Sequence, residues 1–437
     1  MVQEVITDVV CPFCGSLCDD GEIILEDGKI VETRNLCTIG TTKFLSSQNG
    51  HRIIKPMIRE NGELKETTFE KAIKKAAEIL VKAERPLLYG WATTECDAQR
   101  VGIELAEEIN GVIDDTASVC HGPSTIAKQE VGLPGCTLGQ VKNRADVIVY
   151  WGSNPAHAHP RHMARYTTFI RGFFREQGKQ DRTLIVVDVR NTDTAKLADH
   201  FIQVKPGYDY ELFAALRAAI KGQSIRGEEV GGVPVSKIKE IAEIMKNAGF
   251  GVIFFGLGLT MSRGKHRNIT NAINLTIDLN KYTKFVIMAM RGHYNVSGFG
   301  VVGCWQAGYP FGIDFQRGYP YYNPGETTSI EILQREEADA VLVVASDPVS
   351  HFPARSISYM AKLPVIAIEP HRTPTTEIAT VVIPPAIAGI ECEGTAYRMD
   401  HVPIRLRKVI DPPDGCLPDR QILEALLEEV RKLKSKS

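Results

Sequence analysis

The chain lacks any apolar run long enough to cross a bilayer. Its longest, near residues 252–259 and 340–345, fall far short of the roughly 20 residues a membrane helix requires. It also lacks a surplus of either charge. Lys and Arg total 51 against 53 Asp and Glu, a net charge of -2, which gives no electrostatic footing for nucleic acid or an anionic membrane. No secretory leader pattern opens it, because Glu4 and Asp8 interrupt the only candidate stretch. A disulfide framework is missing too. Ten cysteines are spread over 437 residues, which is not the density of a small stapled scaffold. Four cluster near the N-terminus, while Cys96, Cys120, Cys136, Cys304, Cys392 and Cys416 are scattered. The expected setting is a reducing cytoplasm, with no nucleic-acid or membrane partner.

What is present starts with Cys11-Pro12-Phe13-Cys14-Gly15-Ser16-Leu17-Cys18 and Cys37, spaced C-x2-C-x3-C-x18-C. Thiolates select zinc or iron–sulfur clusters over hard cations. Structural zinc is commonly held by two paired knuckles. Here three thiols come from one loop and the fourth from a distance, which suits a [4Fe–4S] cubane better; a small zinc-stapled β module is the alternative. Strand patterns at 5–10, 22–26 and 29–33, the last two joined by the type I′ signal Asp27-Gly28, carry the chain from Cys18 to Cys37. Gly15 and Gly40 would let backbone N–H groups approach the sulfurs.

The remainder is one pattern written twice. Helical periodicity at 69–83, a strand at 86–90 and a helix at 97–110 match a helix at 238–247, a strand at 251–256 and a helix at 268–279. Ala145-Asp146 and an apolar run ending Trp151-Gly152-Ser153-Asn154-Pro155 match Ala338-Asp339 and a run ending Val344-Ala345-Ser346-Asp347-Pro348. Asp188-Val189-Arg190-Asn191-Thr192-Asp193-Thr194 matches Glu369-Pro370-His371-Arg372-Thr373-Pro374-Thr375. Apolar strands alternating with helices predict parallel sheets covered on both faces, and ligands bind beyond the carboxyl ends of such strands.

Candidate nucleotide-binding residues lie there. They are Gly152, Ser153, Asn154, Asp188, Arg190, Thr192 and Thr194 in the first copy, and Gly256, Gly258, Ser346, Asp347, Glu369, Arg372 and Thr373 in the second. A terminal acid can accept from ribose hydroxyls, and small-residue turns offer N–H groups to a pyrophosphate. In Pro206-Gly207-Tyr208-Asp209, Gly207 shapes a turn from which Asp209 could accept from a purine N–H pair. Ordinary strand-to-helix turns of a duplicated scaffold are the plainer reading of all of these. His157, His159 and His162 form an imidazole-rich tract that reads as pocket or surface lining sooner than as a metal site.

Each copy carries an insertion between its second helix and its Ala-Asp strand. The first holds Ser118-Val119-Cys120-His121-Gly122-Pro123-Ser124; the second opens with Met290-Arg291-Gly292-His293-Tyr294-Asn295 and is rich in glycine as far as Pro324-Gly325-Glu326. As a thiolate Cys120 would be a soft metal ligand and His121 could hold or pass a proton; a buried structural cysteine is the plainer reading of the pair. Arg291 can hold a carboxylate or a CO2-like oxygen by paired hydrogen bonds, with a structural salt bridge as the alternative. His293 and Asn295 are weaker candidates. A pseudo-twofold relation between the copies would bring both insertions to one cleft.

The cysteine spacing, the duplicated halves, the Trp151-Gly152-Ser153-Asn154-Pro155 turn, Asp188 with Thr192-Asp193-Thr194-Ala195, and Pro206-Gly207-Tyr208-Asp209 together resemble the molybdenum/tungsten bis-pterin-guanine-dinucleotide oxidoreductases, which include formate dehydrogenases. Within them the chain is most similar to the B subunits of archaeal formylmethanofuran dehydrogenases, through Val10-Cys11-Pro12-Phe13-Cys14-Gly15, Ser118-Val119-Cys120-His121-Gly122-Pro123-Ser124 and Met290-Arg291-Gly292-His293. The resemblance covers nearly the whole chain. It implies two molybdopterin guanine dinucleotides, tungsten or molybdenum with Cys120 as protein ligand, and one [4Fe–4S] cluster on Cys11, Cys14, Cys18 and Cys37. It implies His121 and Arg291 beside the metal, and reversible reduction of CO2 to formate in methanogenesis-type C1 metabolism. The implied partners are ferredoxin-like polyferredoxin subunits, an amidohydrolase-like subunit that joins formate to methanofuran, and a small β-barrel subunit covering the pterins. Where many relatives place a Lys between cluster and pterin, this chain has Ile39, which leaves Lys43 as the candidate stand-in.

The expected architecture is α/β: a small N-terminal [4Fe–4S] domain, then two pseudo-symmetric Rossmann-like parallel-sheet domains, with no C-terminal β-barrel. The repeat alone suggests two sequential domains. The resemblance implies instead a cluster domain at 1–60 with 291–325 packed on it, one α/β domain from 61–120 with 326–410, a second at 121–290, and a tail helix within 411–437. Two other functions remain open: a bis-pterin oxidoreductase with a different substrate, such as a formate dehydrogenase, and a non-catalytic electron relay of the same fold. The relay has no need of Cys120-His121 or Arg291.

Overall fold

The structure, a computed structural model, describes residues 3–47 and 51–436. The chain divides into two compact units. The first comprises Met1–Val119, His293–Arg398 and Pro403–Ser437; the second comprises Cys120–Gly292 and Met399–Val402.

The second unit is built on a parallel sheet with the strand order His200–Gln203, Thr183–Asp188, Val147–Trp151, Phe250–Phe255, Lys284–Ala289. Every residue of Val147–Trp151 is buried, because helices cover both faces and neither face needs polar side chains. Val149, Ile185, Ile253 and Phe213 pack on one face, and Ile148, Tyr150, Leu184 and Phe254 on the other. The order reverses between Val147–Trp151 and Phe250–Phe255, which makes the carboxyl ends of those two strands the natural crevice of a doubly wound sheet.

Among the described residues the main sheet of the first unit has nine strands. Its parallel centre runs Val112–Asp115, Pro86–Gly90, Ala340–Val344, Val365–Ile368, Val381–Ile383, and antiparallel strands extend it at both ends. Pro86–Gly90 therefore pairs with a strand of the second sequence copy, and Phe250–Phe255 with a strand of the first. Neither copy builds its own sheet. Aligned residues make the same bonds in both. Asp146 accepts from the Gly249 and Phe250 N–H groups at 2.7 and 3.0 Å, and Asp339 accepts from Glu84 and Arg85 at 2.6 and 2.9 Å. Each carboxylate ties the start of its own strand to the start of the neighbouring one.

At the N-terminus, Gln3–Val9, Gly21–Glu26 and Lys29–Arg34 form an antiparallel sheet. Asp27 and Gly28 have φ of 49° and 77°, the left-handed pair that a type I′ turn needs. The glycine-rich insertion contains the helix Val296–Ala307, which its three glycines hide from any reading by propensity. Phe299 and Val302 of that helix join a core with Val101 and Leu105 of the helix Cys96–Glu108, whereas Tyr294 packs with Val10 and Leu17 of the cysteine segment. The helix Asp419–Lys434 buries Ile422, Leu426 and Val430 in the first of these cores. Among the described residues, no helix is long and apolar enough to cross a membrane.

Gly90 shows how tightly the central strands are set. Its φ is +126°, and a Cβ there would lie 2.0 Å from the Val344 carbonyl oxygen. Gly28 also has positive φ but nothing within 4 Å of a Cβ. Gly90→Ala should cost more than about 4 kcal/mol and Gly28→Ala about 1 kcal/mol, read as the difference between their urea midpoints. Equal midpoints would contradict this packing.

Candidate functional site

The cysteine loop folds back on itself through Cys11 N–H to Cys18 O at 2.9 Å and Leu17 N–H to Cys14 O at 3.1 Å. Cys37 is the N-cap of the helix Thr38–Ser46, and its Sγ accepts from the Gly40 N–H at 3.5 Å. A Cβ at Gly40 would lie 3.0 Å from Cys11 Sγ. Burial pushes the Cys11 thiol well above its ordinary value, and Cys14, Cys18 and Cys37 push it further. The four sulfurs are thus near enough to repel one another as thiolates, a repulsion that a bound cationic centre offsets. Among the described residues, no three His, Cys, Asp or Glu side chains gather as one metal ion would need. The thiols are neighbours without closing on a single tetrahedral point. Lys43 lies one turn after Ile39 on the same helix, with Nζ 5.7 Å from the Phe13 ring centroid.

In the second unit, Gly152, Gly256 and Gly258 pack backbone to backbone at the reversal of strand order. Gly152 has φ +54°, a Cβ there would lie 2.9 Å from Gly258 C, and Gly258 N–H donates to Gly152 O at 3.0 Å. Asn154 Oδ1 accepts from the Thr194 hydroxyl at 2.6 Å, Thr192 Oγ1 from Ala195 N–H at 3.1 Å, and Asp188 Oδ1 from Arg190 N–H at 3.3 Å. The first unit repeats each bond at the aligned positions. Asp347 Oδ1 accepts from the Thr375 hydroxyl at 2.5 Å, Thr373 Oγ1 from Thr376 N–H at 3.2 Å, and Glu369 Oε1 from His371 N–H at 3.2 Å. These side chains build their own turns. Ser153 is buried and Ser346 half-buried beside them, while Arg190 and Arg372 are exposed. Gly207 has φ +82°, and Asp209 begins the helix Asp209–Ile220 with Oδ1 accepting from the Trp151 indole at 2.9 Å.

Cys120, His121 and Arg291 all belong to the second unit. His121 caps the helix Gly122–Val131, with Pro123 in its first turn. Cys120, partly exposed, therefore sits at the positive end of a helix dipole, which favours negative charge there. Thr260 donates its hydroxyl to the Cys120 carbonyl at 3.0 Å. His121 Nε2 meets the Met290 carbonyl at 3.2 Å and Nδ1 meets the Ser124 hydroxyl at 3.0 Å. A carbonyl only accepts, so Nε2 carries the proton and Nδ1 accepts from Ser124. Burial and, next, the Arg291 charge bring the imidazole down to about 3; it is neutral at physiological pH. His159 Nε2 donates to the Arg291 carbonyl at 2.8 Å. Arg291 itself is buried. His293 and Asn295 belong to the first unit. His293 is exposed, and Asn295 is a buried structural group that accepts from Tyr397 N–H and donates to Thr94 O, both at 2.8 Å.

A family model described as molybdopterin oxidoreductase matches residues 52–429. The chain is 60% identical to the B subunit of tungsten-containing formylmethanofuran dehydrogenase 2 from Methanocaldococcus jannaschii, over 98% of this chain and 99% of that one. The chain belongs to the molybdopterin oxidoreductases, among the formylmethanofuran dehydrogenase B subunits. It is an oxidoreductase. Two solved structures share the fold. A chain of the formyltransferase/hydrolase complex of Methylorubrum extorquens, crystallised with methylofuran, superposes with TM-score 0.71 at 20% identity, covering 87% of this chain and all of that one. Acetylene hydratase from Pelobacter acetylenicus superposes with TM-score 0.75 at 14% identity, covering 98% of this chain and 69% of that one.

Several residues of the site are not singled out by the sequence of this family member. Ser124 lies three residues after His121, a helical spacing that could have revealed it. Thr375 aligns with Thr194, yet the motif draws attention to Thr373. His159 stands in a conspicuous tract, but its bond to Arg291 spans 132 residues. The tract itself diverges, since His157 is exposed and bonded to Asp193 at 2.6 Å whereas His159 and His162 are buried. The Glu369 carboxyl is pushed from 4.5 to about 8, mainly by burial and then by Asp419 and Asp347, against the His371 N–H and Arg52. Folded protein thus holds a proton that unfolded protein releases between those values, and stability falls as pH rises through that window. Glu369→Gln should be more stable than wild type at pH 8.5 by at least about 1 kcal/mol, with the gain gone at pH 4. A gain of the same size at both pH values, in urea melts, would rule out this titration.

Proposed function

We propose that the chain is the catalytic subunit of a formylmethanofuran dehydrogenase. It reversibly reduces CO2 to formate at tungsten or molybdenum held by two molybdopterin guanine dinucleotides and fed through one [4Fe–4S] cluster. The observation that carries this reading is the bond from His121 to the Met290 carbonyl. It joins the Cys120-His121 insertion to Arg291 across 169 residues, and so puts a soft ligand and a buried cation in one neighbourhood.

The residues fit the groups. Cys120 offers a thiol that belongs to no group of three His, Cys, Asp or Glu donors among the described residues, so a metal there would bring most of its own ligands, as pterin dithiolenes would. Cys11, Cys14, Cys18 and Cys37 offer one thiolate for each of four irons. The glycine crevice and the acid-terminated strands of the two sheets suit one dinucleotide each, in a duplicated and pseudo-symmetric pair of domains. When bound, the metal supplies the two-electron exchange between CO2 and formate. Arg291 stabilises negative charge on the carboxylate oxygens. His121, neutral and with both nitrogens committed, positions the Arg291 segment and presents no charged proton of its own. The reduction takes up two electrons and one proton.

The same reading places the chain in the cytoplasm within a multi-subunit complex. Its partners would be ferredoxin-like electron carriers, an amidohydrolase-like subunit acting on formate and methanofuran, and a β-barrel subunit covering the pterins.

Metal analysis of the native complex should give roughly one W or Mo and about four or more Fe per copy of this chain. Cys120→Ser should abolish CO2 reduction while leaving the iron. Gly40→Ala, which crowds Cys11 Sγ, should lower the iron without unfolding the chain. Iron without W or Mo would favour the electron-relay reading, and zinc alone would refute the cluster.

A further inference from the structure

The helix that begins at Gly122 carries more than the His121 contact. His121, Ser124 and Lys128 are spaced i, i+3, i+7 and so share one face. Lys128 reaches a cavity of about 240 Å³ in the second unit, lined also by Cys136, Gln140, Met288, Asp400 and His401. Arg291 and His401 both lie within electrostatic range of Lys128. Burial brings the His401 imidazole down to about 3, so Lys128 is the cation of the cavity and His401 offers it a neutral ring N–H. One carboxylate, Asp400, lines the cavity, and its Oδ2 is engaged by the Leu138 N–H at 2.6 Å. His401 is held at φ +61°, a conformation that costs a non-glycine residue free energy and recurs at ligand sites. Burial and then the Arg291 charge lower the Lys128 ammonium to about 7; an anion in the cavity would relieve that repulsion.

We propose that this cavity is a holding site for a small carboxylate anion, with Lys128 and His401 as its recognition groups and Arg291 marking the way to the reacting centre. The occupant is formate, a choice that rests on the function proposed above. CO2 is neutral and gains nothing from such a site, whereas formate must be admitted or released as an anion. A cavity of this size takes formate with water to spare. Neither Lys128 nor His401 needs to touch the metal, so Lys128 acts on admission and release and not on the electron transfer.

The test uses the intact native complex. Crystals soaked in bromide should show an anomalous peak in the cavity for wild type and for Lys128→Arg, and none for Lys128→Gln. In formate oxidation, Lys128→Gln should raise KM for formate about tenfold with kcat changed less than about twofold, the signature of lost uniform binding. Lys128→Arg should restore KM, and the exposed Lys239→Gln should leave it alone. The KM for CO2 in the reverse direction should not move. A wild-type cavity without bromide, or with bromide that persists in Lys128→Gln, overturns the site. A bromide peak beside an unchanged formate KM makes it an adventitious-ion site only and overturns the proposal equally. If the wild-type complex handles neither formate nor CO2, the functional reading fails, and the bromide arm still decides whether the cavity selects anions.

Discussion

Two imidazole N–H groups hold two successive carbonyls, and the placement of Arg291 follows from them. The strand Lys284–Ala289 has just ended, so the Met290 and Arg291 carbonyls have no ladder partner in the sheet. Buried carbonyls left unpaired cost on the order of 1–3 kcal/mol each. His121 and His159 supply the missing donors. A neutral imidazole has a single N–H, so each ring has no further proton to donate once that one is engaged. Burial beside Arg291 keeps His121 in that neutral form. The arginine thereby helps to maintain the tautomer that fixes its own backbone. Ser124 closes the arrangement by donating to the other nitrogen, one helical turn from Cys120.

The duplicated sheets distinguish construction from recognition. Asp146 and Asp339, Asn154 and Asp347, Thr194 and Thr375, Thr192 and Thr373 make equivalent bonds in separate units. A bond that recurs in both copies serves what both must do, which is to start and turn buried parallel strands without unpaired backbone groups. Recognition is better sought where the copies differ. Gly152 faces Gly258 without a side chain where the other copy has Ala345 at φ +49°. Arg190 stands where the other copy has His371.

Much of the fold was legible because its signals are local. Buried apolar strands, the Asp27-Gly28 turn and the acidic flanks announce themselves within a few residues, and the internal repeat adds a second reading of each. Strand order was not legible, since nothing in Pro86–Gly90 says that one of its two neighbours will be Ala340–Val344, far along the chain. The helix Val296–Ala307 was hidden by glycine, which packing allowed: a Cβ at Gly298 would lie 2.0 Å from Asn295 Oδ1. At the site, Cys120, His121 and Arg291 could be singled out by chemistry. Lys128 could not, because one lysine on an amphipathic helix carries no signal until the cavity beside it is seen. Asp209 and Asn154 were visible as special positions, but their partners, Trp151 and Thr194, are set by tertiary packing.

The same topology accounts for the room given to the two insertions that carry Cys120-His121 and Arg291. Val112–Asp115 and Lys284–Ala289 occupy corresponding places, each the outermost parallel strand beyond the partner of its sheet's reversal point. A chain leaving such a strand at its carboxyl end is not required to cross back at once, so it can lengthen without disturbing the ladder. It also leaves at the end where parallel sheets present their ligands. Cys120-His121 follows one of these exits and Arg291 the other, and the unit boundaries fall beside them, at Val119 and Gly292. Duplication supplied two equivalent exits, and divergence could then place a thiol with an imidazole after one and a guanidinium after the other while the strands that carry them stayed alike.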